Sequence, residues 1–413
     1  MLQKLRKLRT NENVLIAVDV LLHSKSAFMS VFLMAFMMRA SLSDSPATFL
    51  IYCIIRYALM AFFSIILLKL TKNHTLAAWR FSMIFSVLQI LAIICLDNTA
   101  EYFPYVVAVC SALESVLYWR PKMYFDVVEV PDDRRIRFKS MGQILIEIAK
   151  IVMPVILGIA ISTSSYTRTA NIILVISIFQ LLLSILFRPT RSPREKTSRH
   201  KLIDVMQYML KHDSMHKIVY LSLLRGILTS SAGYLMIAQI NMYRNTGSDL
   251  DLGIYTALAS VISIVILWSY RHFTKKYERK AIIFGLIPPI VMFPISLMLF
   301  PGNITLSIAF YVFTQSVIES FLNGTVSVVR LQDITSRHLS DDSYRVEVES
   351  IAEVFLSIGR VVSISIVLAI IMTGQDWLMM PFALLSSFAI IPFIYLALPS
   401  KMWRHDKIKA WFI

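Results

Sequence analysis

The sequence has little charge, little glycine and no long polar segment. Charged residues make up only 16% of the 413 residues, whereas hydrophobic residues make up 57%, and the mean hydropathy is +0.66. A soluble globular protein averages about 25% charged and about 45–50% apolar residues. The stretches between apolar runs are too short to fold as a soluble domain. These absences exclude an ordinary soluble protein and predict a polytopic membrane protein.

Several chemical signatures are also missing. The three cysteines lie in apolar segments, so they do not indicate a disulfide framework. The sequence contains no Gly-x-x-x-x-Gly-Lys pattern for a nucleotide and no His/Cys cluster with metal-ligand spacing. We therefore expect no enzyme activity, no cofactor and no metal site. The 11 glycines are few for transmembrane helices that pack closely.

Apolar runs of about 20 residues, long enough to cross a bilayer as helices, occur twelve times along the chain. The predicted spans of the first half are Val14–Met38, Ala47–Leu70, Ala77–Leu96, Pro104–Tyr124, Met141–Ser162 and Thr169–Phe187. Those of the second half are Ile218–Met242, Leu252–Tyr270, Ala281–Phe300, Thr305–Val329, Val348–Met372 and Trp377–Leu398. We predict an all-α membrane protein with twelve transmembrane helices in two six-helix pseudo-symmetric bundles. The bundles are residues 1–187 and 218–413, the second with a short cytoplasmic tail, joined by a basic cytoplasmic linker at 188–217.

The 41 Lys and Arg residues are distributed asymmetrically. If both termini are inside, 32 of them lie in cytoplasmic segments or within four residues of the inner end of a span, three lie in outer loops and six lie deeper within spans. Basic residues are retained on the cytoplasmic side during insertion. The net charge of +15 is therefore attributed to membrane topology and not to nucleic-acid binding. We predict a plasma (inner) membrane protein with both termini cytoplasmic, and we expect it to be a monomer.

The linker contains a short segment, Leu202–Leu210, whose apolar residues have helical spacing. It could lie on the inner membrane surface or form an ordinary linker helix. The sequence favours neither interpretation.

The two halves carry short similar segments in the same order. The segment Glu-Ser-x-Leu starting at Glu114 in span four recurs at Glu319 in span ten, 205 residues later. Glu147 in span five and Glu353 in span eleven are 206 residues apart. The near-constant offset predicts an internal duplication, as in many transporters.

These features together resemble the major facilitator superfamily over essentially the whole chain. Besides the 6 + 6 topology, the loop Tyr270–Lys280 ends in clustered Arg and Lys, similar to the family's basic inter-helix motif. The equivalent loop of the first half, Leu70–Thr75, lacks the glycine, the aspartate and the paired arginines of that motif. Span five keeps only Pro154 and Gly158 of the glycine-rich stretch of the drug antiporters. The compact loops are typical of bacterial proteins.

Ionisable residues within the spans give the candidate site, because each costs about 2.5–3.5 kcal/mol at mid-bilayer and usually marks a pathway. Asp19 and His23 are four residues apart on one face of span one, with Lys25 close by. An acid beside a histidine suits a proton relay. Asp19 is also near enough to the inner end of the span to be a solvated rim charge instead.

The resemblance implies that spans one, four, seven and ten line a central cavity. Glu114 and Glu319 would then be pseudo-symmetric cavity acids, although each could instead form a buried ion pair, with Lys25 and Arg225 respectively. Pro121 is expected to interrupt span four. The candidate residues of the substrate or proton pathway are Asp19, His23, Lys25, Glu114, Tyr118, Arg120, Arg225, Gln239, Gln315, Glu319 and Asn323.

Two further pairs of charged residues within spans are predicted to be structural. Glu147 with Lys150 and Glu353 with Arg360 are close in sequence on spans five and eleven. We expect them to lock helices and not to contact a solute.

Together these patterns predict a secondary active transporter that works by alternating access, with protons as a candidate coupling ion for export. Its expected partners are a polar or amphiphilic small-molecule substrate and the lipid bilayer. The alternative is a lipid-handling, flippase-like protein or a non-transporting signalling protein on the same scaffold.

Overall fold

The computed structural model describes residues 2–40, 46–95, 103–130, 132–189, 202–211, 216–228, 248–262, 264–265 and 345–375, with a few single positions beyond them. The regular structure in these residues is helical. The elements are α1 (Leu2–Ala27), a π-helical turn (Phe28–Phe32), α2 (Leu33–Ala40), α3 (Ala47–Ile66), α4 (Leu68–Asn73), α5 (Thr75–Cys95), α6 (Phe103–Val128), α7 (Asp132–Thr163), α8 (Tyr166–Leu186), α9 (Leu202–Lys211), α10 (His216–Leu228), α11 (residues 249–262) and α12 (Arg345–Thr373).

Six of the described helices are long and apolar enough to cross a membrane. They are Asn11–Met37, Ala47–Ile66, Thr75–Cys95, Met141–Thr163, Tyr166–Leu186 and Glu347–Thr373. These helices correspond to predicted spans one, two, three, five, six and eleven. Predicted spans nine, ten and twelve lie almost entirely outside the described residues, so the total of twelve stays a prediction.

The fourth predicted span is helix α6, which is not among these six and carries more polar side chains. The expectation that Pro121 interrupts it is wrong, because α6 continues through Pro121 as far as Val128. A proline removes one backbone donor from the helix, but membrane helices tolerate it where neighbouring groups satisfy the freed carbonyl. The continuous helix keeps Tyr118 and Lys122 in helical register on either side of the proline.

Large apolar side chains remain exposed on the outer faces of the helices. On α7 they recur at about every turn, at Ile144, Ile148, Val152, Ile156 and Ile159. A water-soluble monomer rarely exposes a contiguous apolar patch of this length. The stripe is the face expected to contact lipid.

The described residues divide into two compact units. The first contains α1 to α8 together with residues 249–261, and the second contains α9, α10 and α12. Within the first unit α1 packs along α7 and α8, α5 packs against α6 and α8, and α3 packs against α6. Residues 249–261 belong to predicted span eight, so a helix expected in the second bundle packs with the first unit.

The helix predicted in the linker is confirmed as α9. Val205 and Met209 are buried against α10 and α12. Ile203, Met206 and Leu210 lie on the adjoining side of the helix and are exposed. The buried face supports the linker-helix interpretation, while the exposed stripe leaves an apolar surface that the inner leaflet could cover.

An aromatic cluster holds one end of the first unit together. Trp79, Phe125 and Phe187 are fully buried, with ring centroids 4.9 to 5.6 Å apart in edge-to-face arrangements. The neighbouring Arg80 donates from its guanidinium to three backbone carbonyls at the C-terminal end of α8, at 3.2 to 3.4 Å. These carbonyls lack partners within the helix, so Arg80 caps α8 while the aromatic rings pack beneath it.

Several of the described glycines lie where helices approach closely. A Cβ on Gly226 of α10 would lie 3.0 Å from the Cα of Gly359 on α12 and nearer still to the carbonyl oxygen of Leu356. In the first unit, a Cβ on Gly158 of α7 would lie 2.9 Å from the carbonyl oxygen of Asp249. Small residues at such crossings let helix backbones approach. Of the six glycines that the structure describes, four therefore lie at two helix crossings.

We predict that Gly226→Ala and Gly359→Ala each destabilise the protein by about 1–3 kcal/mol, because the added methyl would overpack against backbone atoms. The matched control is Gly142→Ala, whose Cβ would lie 3.7 Å from Cγ1 of Ile16, an ordinary contact. Thermal unfolding of the purified full chain in mild detergent measures the difference. Equal unfolding temperatures for all three variants would contradict the close crossing of α10 and α12.

Candidate functional site

Polar side chains of α1, α5 and α6 meet inside the first unit. The Nζ of Lys25 pairs with Oε1 of Glu114, and the two side chains are only 3% and 8% exposed. Lys25 Nζ also donates to Oγ of Ser86 at 2.8 Å and to Oε1 of Gln89 at 3.3 Å. A lysine ammonium has three N–H donors, so the three acceptors use all of them.

Asp19 makes the next contact between α1 and α6. Its Oδ1 accepts a hydrogen bond from the hydroxyl of Tyr118 at 3.0 Å, and its Oδ2 lies 3.0 Å from Nζ of Lys122. The same Nζ lies 3.1 Å from Oδ2 of Asp126. The Asp19 side chain is 10% exposed. It is therefore enclosed by protein and does not have the surroundings of a solvated rim charge.

Asn11 makes a third contact, nearer the start of α1. Its Nδ2 donates to Oε2 of Glu129 at 2.9 Å and to the carbonyl oxygen of Arg188 at 2.8 Å. From Lys25 to Asn11 the residue number falls along α1, while it rises along α6 from Glu114 to Glu129 just after its end, as in an antiparallel pair of helices. We call the following residues the polar seam: Asn11, Asp19, Lys25, Ser86, Gln89, Glu114, Tyr118, Lys122, Asp126 and Glu129.

Sequence spacing explains why α6 can supply one side of the polar seam. Glu114, Tyr118, Lys122 and Asp126 are each four residues apart and so lie along one side of the helix. At 1.5 Å per residue, the distance from Glu114 to Asp126 is about 18 Å along the axis. This is more than half of a hydrocarbon core about 30 Å thick. The polar seam is therefore long enough to extend through much of a membrane.

Arg56 lies on α3, close enough for its charge to interact with the charges of Lys25 and Glu114. Its side chain is partly buried, and its Nε is buried without a hydrogen-bond acceptor. The Cζ atom lies 5.4 Å from the ring centroid of Tyr57, within the range of a cation–π contact. Arg56 is thus placed beside the polar seam without being hydrogen-bonded to it.

His23 and Arg120 lie beside the polar seam but make other contacts. His23 meets the ring of Trp119 edge-on at 6.1 Å between centroids, and its described contacts include no hydrogen bond to Asp19. Arg120 donates from Nη1 to the carbonyl oxygen of Ser64 at 3.0 Å, which ties α6 to α3. Tyr118 and Lys122 therefore make the direct polar contacts with Asp19, while His23 lies within range of the Asp19 charge.

The two pairs predicted to be structural lie within single helices. Nζ of Lys150 is 3.1 Å from Oε1 of Glu147 on α7, and Nη1 of Arg360 is 3.9 Å from Oε1 of Glu353 on α12. Arg225 lies on α10 in the second unit. The remaining predicted site residues lie outside the described residues: Gln239, Gln315, Glu319 and Asn323.

Sequence reasoning missed several members of the polar seam. Lys122 lies near the inner end of predicted span four and is not among the sequence candidates, yet its four-residue spacing from Tyr118 and Asp126 is a usable signal. Ser86 and Gln89 are buried polar residues one turn apart on the apolar helix α5. Polar residues at helical spacing in an otherwise apolar span indicate a buried polar contact.

A separate cleft of about 650 Å³ lies between α1, α7 and α8. Its lining is mostly apolar and includes Ile16, Val20 and Leu21 of α1, Phe138 and Met141 of α7 and Phe179 of α8. None of the polar seam residues lines this cleft. The apolar lining suits a lipid chain better than a polar solute, so the polar seam is the stronger candidate site.

Comparisons with known proteins agree on the fold. No family model matches the chain. An uncharacterized protein of Bacillus subtilis (strain 168), YqgE, is 23% identical over 308 residues, which are 74% of this chain and 70% of that protein.

Three solved structures are similar over nearly the whole chain. A bacterial homologue of the iron transporter ferroportin, in its outward-facing state with soaked iron, has a TM-score of 0.65 at 12% identity and covers 94% of this chain and 99% of its own. A point mutant of the nucleoside transporter NupG has a TM-score of 0.68 at 12% identity, covering 95% and 100%. An auto-inhibited POT family peptide transporter has a TM-score of 0.69 at 10% identity, covering 95% and 97%. The chain therefore has a major facilitator-type fold, and it is a multi-pass membrane protein.

We predict a strong energetic coupling between Lys25 and Glu114. Lys25→Met and Glu114→Gln should each destabilise the first unit by about 3–5 kcal/mol, since each leaves one buried charge unpaired. The double variant should be more stable than the sum of the two effects implies, because it removes both charges. Denaturant unfolding of the purified full chain measures the free energies of unfolding of the two single variants and the double variant, which form a double-mutant cycle.

Lys150→Met is the control for the Lys25–Glu114 cycle. It breaks a pair whose lysine side chain is 38% exposed, so its cost should stay below about 1 kcal/mol. Additive costs for Lys25→Met and Glu114→Gln would contradict a direct buried pair.

Proposed function

We propose that the protein is a secondary active transporter of a polar or amphiphilic small solute, and that the polar seam belongs to its solute or proton pathway. The observation that carries this proposal is the buried Lys25–Glu114 pair on helices of membrane-spanning length. Ionisable side chains inside membrane spans are expensive and commonly mark substrate or ion pathways. The similar structures of iron, nucleoside and peptide transporters support transport as the activity class.

The composition of the polar seam supports a role beyond helix packing. A single buried ion pair can be replaced by apolar residues with little loss of stability. Here two acids, a lysine and a tyrosine hydroxyl follow one another over about 18 Å of α6, from Glu114 to Asp126. Such a series can pass a proton or accept a polar group at several depths, which packing alone does not require.

Alternating access is the proposed mechanism, with protons as the coupling ion. A solute group that competes for Lys25 would release Glu114, which could then take up a proton from the opposite side of the membrane. Asp19 is a second candidate carrier, because the Tyr118 hydroxyl and Lys122 hold its carboxylate within the first unit. Glu319, outside the described residues, keeps the same proposed role in the second half.

Reconstitution of the full chain in proteoliposomes tests transport. We expect a pH gradient to drive accumulation of at least one solute from a small-molecule extract of host cells, measured by mass spectrometry against protein-free vesicles. Glu114→Gln should abolish gradient-driven accumulation, because it removes the proton carrier, while leaving equilibrium exchange of the same solute largely intact. Lys150→Gln serves as the matched control and should retain accumulation.

Two results would contradict different parts of this proposal. If folded, reconstituted protein neither accumulates nor exchanges any solute, a non-transporting membrane protein becomes the better interpretation. If Glu114→Gln and Asp19→Asn each accumulate solute as well as the unmodified chain, these residues do not carry the coupling proton.

A further inference from the structure

We propose that Arg56 binds an anionic group of a solute, a carboxylate or a phosphate, at a site beside the Lys25–Glu114 pair. The proposal deepens the transport function proposed above and depends on it for its physiological meaning. Binding of the anion itself can be tested without transport.

The charges around Arg56 do not cancel. Lys25 and Arg56 are both cations near the single carboxylate of Glu114. Glu114 is already paired with Lys25, whose other two donors are taken by Ser86 and Gln89. These three charged side chains therefore leave one positive charge in excess.

The Arg56 guanidinium has unused hydrogen-bonding capacity. Its Nε is buried without an acceptor, and within the described residues its side chain contacts the Tyr57 ring but makes no hydrogen bond or ion pair. An arginine stays protonated in proteins, so it cannot avoid the cost of burial by losing its charge. A buried donor without an acceptor costs stability, and an anion from outside the chain would accept a hydrogen bond from it.

Two other arginines of the first unit do have backbone acceptors. Arg80 donates to three backbone carbonyls at the end of α8, and Arg120 donates to the carbonyl oxygen of Ser64. Arg56 has no such acceptor among the described residues, and its side chain is only partly buried. The surroundings of Arg56 therefore suit a residue that contacts a ligand better than one that links two helices.

Tyr52 supplies a second donor at the same place. Its hydroxyl is buried near Ser111 of α6, but it does not reach an acceptor in hydrogen-bonding geometry within the described part of the chain. Tyr52 precedes Arg56 by four residues on α3 and so lies on the same helix face. The planar guanidinium matches the paired oxygens of a carboxylate or phosphate. One oxygen of the anion could also accept from the Tyr52 hydroxyl.

Thermal unfolding of the purified full chain in mild detergent tests the site, with sodium acetate or inorganic phosphate replacing chloride at constant ionic strength. We expect one of the two anions to raise the unfolding midpoint by at least about 3 °C, as a ligand that binds only the folded state must. Stabilisation by acetate assigns the site to a carboxylate, and stabilisation by phosphate assigns it to a phosphate group.

Arg56→Met should abolish the anion-dependent shift, and Arg56→Lys should weaken anion affinity roughly tenfold, because it keeps the charge but loses the planar fork. The control is Arg168→Met, which removes one positive charge from an exposed position and should leave the shift unchanged. Without either anion, Arg56→Met should unfold at the same temperature as the unmodified chain or higher, because it removes an uncompensated charge. If Arg56 only linked helices, Arg56→Met would instead unfold at a lower temperature than the unmodified chain.

The proposal is overturned if neither anion stabilises the unmodified chain, if Arg56→Met keeps the shift, or if Arg56→Met unfolds at a clearly lower temperature in chloride alone. If the Arg56-dependent shift is found but proteoliposomes transport nothing, the anion site stands and the transport function fails. If proteoliposomes transport a solute but neither anion shifts the unfolding midpoint, the transport function stands and the anion site fails.

Discussion

The ion pair between Lys25 and Glu114 sets the strongest physical constraint on the first unit. Two charges enclosed by membrane helices are tolerated only when their donors and acceptors are satisfied. Lys25 meets this requirement by drawing Ser86 and Gln89 of α5 and Glu114 of α6 to one atom of α1. These contacts fix the register of α1, α5 and α6 relative to one another at one point. The surrounding apolar side chains must pack in a way that is compatible with this register.

The polar seam and Arg56 illustrate two different uses of charge within one bundle. In the polar seam each described cation has an acidic partner, so burial is compensated and the helices are held together. At Arg56 the charge is left without a hydrogen-bonded partner among the described residues. Without a bound anion, such a charge lowers the stability of the folded protein. Ligand-binding sites commonly contain residues that lower stability in this way.

Part of this structure could be predicted from the sequence. Length and apolar content were enough to place spans one, two, three, five, six and eleven, and their in-span charges pointed to Lys25 and Glu114 as a site or a pair. The helix in the linker followed from apolar spacing alone. These features depend on residues close in sequence, which periodicity can detect.

The remaining features depend on contacts between distant residues. The helix face shared by Asp19 and His23 indicates that they are neighbours. It does not indicate that Tyr118 and Lys122 of another helix make the direct polar contacts with Asp19. Pro121 suggests a helix interruption because proline cannot donate to the carbonyl one turn earlier. Whether neighbouring groups compensate for that lost hydrogen bond depends on the packed structure, in which α6 continues through Pro121. The glycine contacts at Gly226 and Gly359 join segments far apart in sequence, and only the packed helices show them.

Exchange of the two charges of the Lys25–Glu114 pair most directly separates the structural role of the polar seam from its functional role. In the double variant Lys25→Glu with Glu114→Lys, the ion pair can re-form, because the Ser86 hydroxyl and the Gln89 amide can also donate to a carboxylate. If the polar seam is part of a transport pathway, the double variant should unfold near the temperature of the unmodified chain, unlike either single variant, yet fail to accumulate solute against a gradient. Recovery of both stability and accumulation would contradict this and would show that the pair only holds the helices together.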